Sequence, residues 1–237
     1  MGTSVVFATP SLTHKVSLDY LRSALETSWL LISNQIQPGY IQRGGDQFIA
    51  KVRNKCVHEF LTEHPDAENL FFLDDDLGWP AAKVLEFLER PEDILVGAYP
   101  KKQESEDWPI VLWDGDGSLV ERDGLVRCVA GPAGFMRIKR HVLERMAMQA
   151  GYFKDMEADG TEIICANVFT AGVGPDGWYW GEDYAFCKNA DAAGFEIWCD
   201  PDIAFKHRGD KSWNGTLSNS LDRFKERALA QHESTAA

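Results

Sequence analysis

The sequence predicts an α/β fold built on a mixed, mostly parallel sheet of the nucleotide-binding kind. Over the first hundred residues, short apolar runs alternate with helical patterns, as strands and crossover helices do in a parallel sheet. The second half carries hairpin-turn signals, which add antiparallel strands. The 237 residues are enough for one sizeable domain with its own core.

The first half contains three predicted strands and three predicted helices. The strands are the apolar runs 4–9, 69–74 and 93–100. Leu18, Leu21, Leu25 and Trp29 recur at helical spacing, which predicts a helix that ends before the polar stretch 33–45. The second helix is predicted from Ile49 until His64 and Pro65, and the third over 80–91.

The second half mixes turns, strands and helices. Turns are predicted at 113–117 and 122–124, and one or two strands within 125–137. Helices follow at 139–150 and 182–194, the second ending at Gly194, and they are separated by a glycine- and aromatic-rich loop at 171–181. A strand is predicted over 195–200 and an amphipathic helix from Ser218 into the tail.

Composition excludes several classes of protein. Twenty-four Lys and Arg against 37 Asp and Glu give a net charge of −13, the wrong sign for a protein whose main task is to coat a polyphosphate. The five cysteines include no C-x-x-C pair, so reduced, buried thiols are expected rather than disulfides or a zinc ribbon. With no signal-peptide pattern and no apolar stretch near 18 residues, a cytoplasmic location is expected.

Three consecutive aspartates, Asp74, Asp75 and Asp76, stand at the end of the second predicted strand. Open α/β sheets bind their ligands at this edge, and adjacent like charges repel unless a cation neutralises them. At i, i+2 spacing on extended backbone, Asp74 and Asp76 are expected to point the same way and to hold a hard divalent ion, with positions left for phosphate oxygens. The alternative is a solvated acidic turn.

Together with five further segments, this triplet resembles the GT-A type glycosyltransferases, which bind a nucleotide-sugar through Mn²⁺ or Mg²⁺. Leu73-Asp74-Asp75-Asp76 is similar to their DxD motif, and the likeness covers about residues 4–210. It implies a Rossmann-like three-layer α/β/α sandwich, of the kind found in phage and bacterial members. The other segments, in the family's order, are 52–54, 97–102, 131–136, 180–183 with 194–198, and 205–209.

The resemblance implies a donor site. Asp76, Asp74 and His207 would hold the metal, with Asp74 turned towards the ribose or base. The residues that would contact the nucleotide are Thr9, Pro10, Arg53, Asn54, Asp74, Asp75, Lys101 and Lys102, and Arg208 is a further candidate for a phosphate contact. Taken singly, each of these cations also fits a solvated surface residue, and a lone histidine also fits a structural role.

The resemblance also implies an acceptor site. Asp183, with Glu182 beside it, would be the general base that takes a proton from the acceptor hydroxyl in inverting members. The same position at a helix start stabilises the helix without any chemistry, and retaining members use similar scaffolds, so the stereochemistry stays open. The expected acceptor contacts are Gly134, Trp178, Tyr179 and Trp180, although an aromatic cluster in a loop also serves as a hydrophobic plug.

The expected function is therefore transfer of a sugar from a nucleotide-sugar to an acceptor hydroxyl, and the first candidate for the donor is a UDP-sugar. The acceptor would be a glycan, a protein or a hydroxylated nucleobase in DNA, the last disfavoured by the net charge. The alternatives are a nucleotidyltransferase, although the first loop (8–12) lacks a glycine-rich basic phosphate cradle, and a non-catalytic nucleotide or glycan binder.

We expect one domain over 1–237, with a donor half at about 1–103, an acceptor half at about 104–216 and a C-terminal helix and tail at 217–237. The expected compartment is the cytoplasm of a bacterium or a phage-infected host cell.

Overall fold

The computed structural model describes residues 4–104, 107–113, 118–209, 212–222 and 224–226. Within these ranges the chain forms five α-helices and sixteen short or long strands. The helices are α1 (Leu18–Ser33), α2 (Ile49–Glu63), α3 (Ala81–Glu89), α4 (Arg140–Gln149) and α5 (Glu182–Ala192).

The strands, in chain order, are β1 (Val5–Ser11), β2 (Pro38–Gly44), β3 (Asn69–Leu73), β4 (Leu77–Gly78), β5 (Ile94–Gly97), β6 (Val111–Leu112), β7 (Glu121–Arg122), β8 (Leu125–Ala130), β9 (Phe135–Lys139), β10 (Tyr152–Met156), β11 (Glu162–Ala166), β12 (Gly172–Val173), β13 (Tyr179–Trp180), β14 (Ile197–Asp200), β15 (Phe205–Arg208) and β16 (Ser212–Gly215).

The central sheet is mixed, and its strand order is β2-β1-β3-β9-β5-β14-β8-β6, with β7 also paired to β8. β1 is parallel to β2 and β3, and β5 is parallel to β14. β9 lies antiparallel between β3 and β5, and β8 is antiparallel to β14. Because β1, β2, β3, β5 and β14 run in one direction, their carboxyl ends share one edge of the sheet. The predicted α/β fold with a mixed, mostly parallel central sheet is confirmed.

Helices cover both faces of this sheet. α2, α4 and α5 bury residues such as Phe60, Leu143 and Phe186 in a core on one face. α1 and α3 bury Leu31 and Phe87 in a second core on the other face. All five cysteines are buried and free, as expected. No helix in the described ranges is long and apolar enough to cross a membrane.

Most predicted elements are confirmed, with ends shifted by a few residues. The region 125–137 forms two strands, β8 and β9, and the turn before β8 has Asp123 and Gly124 at φ 51° and 79°, as a tight hairpin turn requires. The other predicted turn, at 113–117, falls largely outside the described residues, and so does the tail from residue 227. Before the tail the chain forms a short 3₁₀ helix at Leu217–Ser220, followed by helical residues at 221–222 and 224–226.

Four sets of strands were not predicted, and the fourth, β12 with β13, is described in the next paragraph. β2 lies in the polar stretch 33–45, where glycine and proline masked its strand character, although a connection of about 15 residues between two helices is itself unusual. β10 and β11 form an antiparallel hairpin around Gly160, whose φ is 88°. The signal for that hairpin in the sequence was an Asp-Gly pair between two segments in which apolar and polar residues alternate. The third set is the small sheet β16-β15-β4.

The loop predicted over 171–181 contains a hairpin of its own. β12 pairs with β13 through Gly172 opposite Trp180 and Val173 opposite Tyr179. Gly177, with φ 82°, allows the tight turn between them. The segment is therefore an ordered aromatic hairpin rather than an irregular loop, and it leads directly into α5.

Candidate functional site

The aspartate triplet forms a turn at the carboxyl edge of the sheet, between β3 and β4. The backbone N–H of Leu77 donates to the carbonyl of Asp74 at 3.2 Å, so residues 74–76 are not extended. The expectation that Asp74 and Asp76 point the same way assumed extended backbone, and it is wrong for that reason. Each carboxylate has its own set of partners.

Asp74 is held from two sides. Its Oδ1 accepts a hydrogen bond from Arg53 Nη2 at 2.9 Å, and its Oδ2 accepts one from the Tyr99 hydroxyl at 3.3 Å. Its backbone N–H donates to the Gly134 carbonyl at 2.9 Å. That Asp74 faces the ribose or base of a nucleotide stays a prediction.

Arg53 is a buried cation that connects the aspartate triplet to the start of α5. It is 3% exposed, and besides Asp74 its Nε contacts Glu182 Oε1 at 3.4 Å. Burial alone would lower the pKa of Arg53, but the charges of Asp74 and Glu182 outweigh burial and raise it. Arg53 is therefore charged and ties the turn after β3 to the start of α5.

Gly134 is required by the close approach of Asp74 and Tyr99. A Cβ at position 134 would lie 2.3 Å from both Asp74 Oδ2 and the Tyr99 hydroxyl oxygen. Any other residue would push these groups apart. Gly134 was predicted as an acceptor contact, and the structure gives it this packing role next to Asp74.

Tyr99 lies at the centre of the site, and sequence reasoning did not select it. It is 8% exposed, and its ring meets the His207 ring edge-on at 4.9 Å between centroids. Burial raises the pKa of Tyr99 well above its usual value, and the negative charges of Asp74, Asp183 and Asp76 add to this effect. Of these three carboxylates, Asp74 contacts the phenol directly. The signal in the sequence was the position of Tyr99 at the end of the predicted strand 93–100, where ligands bind in such sheets.

Asp76 faces two groups from other parts of the chain. Lys102 Nζ donates to its Oδ2, and His207 Nε2 lies 3.5 Å from its Oδ1. Burial alone would raise the pKa of Asp76, but its contacts with His207 and Lys102 outweigh burial and lower it. The carboxylate is therefore ionised and in contact with the predicted metal ligand His207.

The His207 ring is oriented by the backbone. Its Nδ1 lies 2.8 Å from the Pro100 carbonyl oxygen, which can only accept, so Nδ1 carries the proton. In a neutral imidazole the Nε2 lone pair then faces the Asp76 carboxylate, and this pair of groups is suited to holding a cation between them. The pairing of β15 with β4, in which His207 is opposite Leu77, brings the imidazole there.

The three predicted metal ligands do not converge as a set. In the described ranges no group of three or more His, Cys, Asp or Glu side chains is arranged to hold a metal ion. Asp74 is engaged by Arg53, which leaves Asp76 and His207 as the donor pair. Mg²⁺ sites that are completed by substrate phosphates use one or two carboxylates from the protein, so a two-residue set is chemically sufficient there. Metal binding itself stays a prediction.

A cavity of about 270 Å³ opens beside the triplet at the ends of β1 and β2. The residues lining it include Thr9, Ser11, His14, Tyr20, Gln42 and Arg43. Asp75 lies at its border: burial raises the pKa of Asp75, and a hydrogen bond with Ser11 opposes that rise. Thr9 was among the predicted nucleotide contacts, whereas Gln42 and Arg43 were missed because β2 was missed.

Thr9 and Pro10 are both buried at the end of β1. Thr9 Oγ1 is hydrogen-bonded to the Tyr20 hydroxyl at 2.5 Å, which ties β1 to α1. Burial raises the pKa of Tyr20, so its hydroxyl stays protonated. These contacts build the inner wall of the cavity.

Asn54 is buried and engaged by the chain itself. Its Nδ2 donates to Asn167 Oδ1 at 3.0 Å and to the Phe169 carbonyl at 2.8 Å, and its Oδ1 accepts from the Phe169 N–H at 2.7 Å. The amide thus fastens α2 to the segment 167–169. The predicted nucleotide contact of Asn54 stays a prediction, and the structure gives its side chain a structural role.

The start of α5 supplies the two candidate catalytic carboxylates. Burial raises the pKa of Asp183, and the neighbouring charge of Glu182 raises it further. Asp183 Oδ1 also accepts from the Tyr184 N–H at 2.7 Å. A carboxylate with a raised pKa, near the sheet edge where the carboxyl ends of the parallel strands lie, is suited to accepting a proton.

The aromatic hairpin presents two exposed rings just before α5. Trp178 and Tyr179 are 76% and 72% exposed. Trp180 instead packs over Gly174, and its Nε1 donates to Asp176 Oδ1 at 3.0 Å. The three predicted acceptor aromatics thus divide into two available rings and one that stabilises the hairpin.

The remaining predicted phosphate contacts are surface cations. Lys101 Nζ is 2.7 Å from Asp107 Oδ2. Arg208 Nε lies 3.7 Å from Asp19 Oδ2, and its backbone N–H donates to the Asp76 carbonyl at 2.9 Å. Of these cations, Lys102 and Arg208 therefore lie next to Asp76.

Comparison with known proteins supports the fold. The crystal structure of A197 from STIV matches with a TM-score of 0.55 and 19% identity, covering 91% of this chain and 91% of that one. This likeness defines a shared fold over most of both chains, and at that identity it defines nothing further. A glycosyltransferase involved in the glycosylation of the major capsid of PBCV-1 matches with a TM-score of 0.34 and 13% identity, covering 60% of this chain and 62% of that one. No family model matches the sequence, and no curated protein does.

Proposed function

We propose that the protein is a metal-dependent glycosyltransferase that moves a sugar from a nucleotide-sugar to an acceptor hydroxyl. The first candidate for the donor is a UDP-sugar. One observation carries the proposal: His207 Nε2 faces Asp76 Oδ1 at 3.5 Å while Nδ1 is fixed by the Pro100 carbonyl. This donor pair lies where the carboxyl ends of the parallel strands meet. Asp75, the neighbour of Asp76, borders the cavity, and Arg53 links Asp74 to the start of α5, where the pKa of Asp183 is raised.

Asp76 and His207 would hold the divalent cation, and the diphosphate of the donor would supply further oxygen ligands. A cation there would offset the negative charge that develops on the departing nucleoside diphosphate. Lys102, whose ammonium group lies beside Asp76, would bind a phosphate oxygen of the donor.

The nucleoside would enter the cavity between β1 and β2. Its polar lining from Ser11, Gln42 and Arg43 suits the ribose hydroxyls and the base edge, and its volume of about 270 Å³ is close to that of small-ligand sites. Asp75, which borders this cavity, is the nearer of the first two aspartates to the nucleoside. Asp74 and Arg53 then act as the support that holds the turn in place.

Asp183 would take the proton of the acceptor hydroxyl as that oxygen attacks the anomeric carbon. The bond between this carbon and the phosphate oxygen breaks, and the nucleoside diphosphate leaves. Glu182 would keep the pKa of Asp183 raised, which makes it a stronger base. Attack from the side opposite the diphosphate inverts the anomeric carbon. Trp178 and Tyr179 would stack against the acceptor, as exposed aromatic rings do with sugar rings.

The test is release of a nucleoside diphosphate from a panel of nucleotide-sugars with Mn²⁺ or Mg²⁺. We expect release with at least one donor, and its loss in Asp76→Asn and Asp183→Asn. Asp159→Asn, a change in the exposed turn of the β10–β11 hairpin, is the matched control and should keep full activity. If Asp76→Asn retains wild-type activity, the metal assignment is wrong.

The same assay separates the alternative functions. A nucleotidyltransferase would release pyrophosphate from a nucleoside triphosphate instead. A non-catalytic binder would bind UDP in calorimetry and turn over no donor under any condition.

A further inference from the structure

α1 carries an apolar stripe on its outer surface. Five side chains along the helix are largely exposed: Leu18 at 81%, Leu21 at 44%, Leu25 at 63%, Trp29 at 76% and Ile32 at 60%. At about 100° per residue, these positions lie within an arc of about 80°. They form one continuous band along the helix, which we call the α1 stripe.

The α1 stripe faces away from the core. The buried residues of α1 are Ser23, Thr27 and Leu31, which lie on the opposite side of the helix. Ser23 Oγ donates to the Trp79 carbonyl at 2.8 Å, and Trp79 Nε1 donates to Thr27 Oγ1 at 3.0 Å. The helix therefore contacts Trp79 through two small hydrogen-bonding residues and buries Leu31 in the core, while the five residues of the stripe stay outside.

The size of the stripe is close to that of a protein interface. Its five side chains expose on the order of 600 Å², at the upper end of the largest apolar patch on a typical monomer. Tyr40 on β2 extends the stripe. Its side chain is 46% exposed, and its hydroxyl lies 2.6 Å from Oγ of Ser28 on α1. A stable interface buries about 800 Å² on each partner, so this surface with its polar rim is large enough for one.

The spacing of the stripe is symmetric about its middle residue. Leu21 and Trp29 each lie four positions from Leu25, and Leu18 and Ile32 each lie seven positions from it. Two antiparallel copies of α1 related by a two-fold axis at Leu25 would match Leu18 with Ile32 and Leu21 with Trp29. An isologous interface needs this self-complementarity, whereas a surface for an unrelated partner does not.

We propose that the α1 stripe is the contact surface of a two-fold symmetric homodimer, in which α1 packs antiparallel on α1 of a second copy with Leu25 at the axis. The charged residues of the helix do not favour a membrane surface as the occupant. They are Asp19, Arg22 and Glu26, two acids and one base, whereas helices that bind anionic lipid are rich in Lys and Arg.

The first experiment measures mass in solution by light scattering at about 100 μM, where an interface of this size should be occupied. We expect twice the 26.6 kDa of the chain, and the monomer mass for Leu25→Glu with Trp29→Glu. Met148→Glu is the matched control, because Met148 is an apolar side chain that is 72% exposed on α4, and it should remain dimeric. A monomeric wild type, or a dimer that survives the double change, overturns the proposal.

The second experiment tests the geometry by cysteine cross-linking. Leu25→Cys should form an intermolecular disulfide under mild oxidation, because the axis places the two copies of residue 25 together. Leu18→Cys alone should not cross-link, whereas Leu18→Cys with Ile32→Cys should. The five native cysteines are buried, so their background is low. Equal cross-linking of Leu18→Cys and Leu25→Cys would rule out this arrangement.

Other occupants give different results in the same variants. If the chain's own residues 227–237 cover the stripe, the wild type is monomeric and becomes dimeric when they are removed. If a membrane covers it, the monomer binds vesicles of phosphatidylcholine and phosphatidylglycerol, and Leu25→Glu with Trp29→Glu abolishes that binding. Either result overturns the homodimer.

Discussion

His207 Nε2 lies 3.5 Å from Asp76 Oδ1, and the other ring nitrogen of His207 is held by the Pro100 carbonyl at 2.8 Å. The imidazole therefore has one nitrogen fixed by the backbone and the other directed at a carboxylate. Three separate segments meet at this point: the turn after β3, the loop after β5, and β15. This relationship supports the proposed cation site.

Replacement of His207 should weaken metal binding. We expect His207→Gln to raise the dissociation constant for Mn²⁺ in the presence of UDP about tenfold or more, because the imidazole nitrogen, one of the two proposed protein ligands, is removed. Electron paramagnetic resonance of free Mn²⁺ measures this directly. His141→Gln, on the exposed side of α4, should leave the affinity unchanged. Unchanged affinity in His207→Gln would remove His207 from the site.

A methyl group at position 134 should disturb the site. A Cβ there would lie 2.3 Å from Asp74 Oδ2 and from the Tyr99 hydroxyl oxygen, so Gly134→Ala should lower the free energy of unfolding by about 1–3 kcal/mol and reduce activity. Urea denaturation measures the first effect. Gly151→Ala, where an added Cβ meets no atom within 4 Å, is the control and should lose far less stability.

Loss of the Asn54 amide should destabilise the fold more than it affects donor binding. Asn54→Ala leaves the buried N–H and carbonyl of Phe169 without their side-chain partner, which costs about 2 kcal/mol or more. Thermal unfolding and UDP calorimetry together separate the two roles. A stable Asn54→Ala variant that binds UDP much more weakly would instead support the predicted nucleotide contact.

The pH dependence of transfer should report Asp183. As a base it acts when ionised, so activity should fall as pH drops through its raised pKa. Burial and the charge of Glu182 cause that rise. Glu182→Gln removes one negative charge, which lowers the pKa of Asp183 and should move the acid limb of the rate profile to lower pH. An acid limb that stays in place, or moves to higher pH, would contradict the assignment.

The exposed rings of the aromatic hairpin should affect the acceptor alone. Trp178→Ala and Tyr179→Ala should raise the KM for the acceptor and leave the KM for the donor unchanged. Because both side chains are largely exposed, stability should change by no more than about 0.5 kcal/mol. Met148→Ala, a comparably exposed apolar position, should change neither constant. A rise in donor KM in the ring variants would instead place the rings on the donor side.

Much of the central sheet could be predicted because its strands are apolar runs. Asn69–Leu73 and Ile94–Gly97 are buried along their whole length, so their hydrophobicity is continuous and visible in the sequence. β2 was missed because it is an edge strand with mixed burial, which leaves no such run. The residues that it adds to the cavity, Gln42 and Arg43, were missed with it.

The candidate site was predicted in its membership more than in its geometry. The triplet, Arg53, His207 and the start of α5 were all selected from the sequence. The structure links Asp74 through Arg53 to Glu182 and places His207 beside Asp76. The sequence left open whether the triplet is extended or an acidic turn, because three identical residues fit either backbone, and the hydrogen bond from Leu77 N–H to the Asp74 carbonyl shows the turn. Tyr99 was missed because a tyrosine at a strand end is ordinary until its neighbours are known.

The sequence by itself determined the five α-helices and the apolar strands of the central sheet, since helical periodicity and continuous hydrophobicity along the chain encode them. Only the tertiary structure decided which side of an element is used. The period of Leu18, Leu21, Leu25 and Trp29 predicts a helix, yet packing of Ser23 and Thr27 against Trp79 turns that apolar face outward. Likewise, pairing of β15 with β4 brings His207 to Asp76. Periodicity is a local property of the chain, whereas the face that is buried and the partners that meet depend on contacts between residues far apart in sequence.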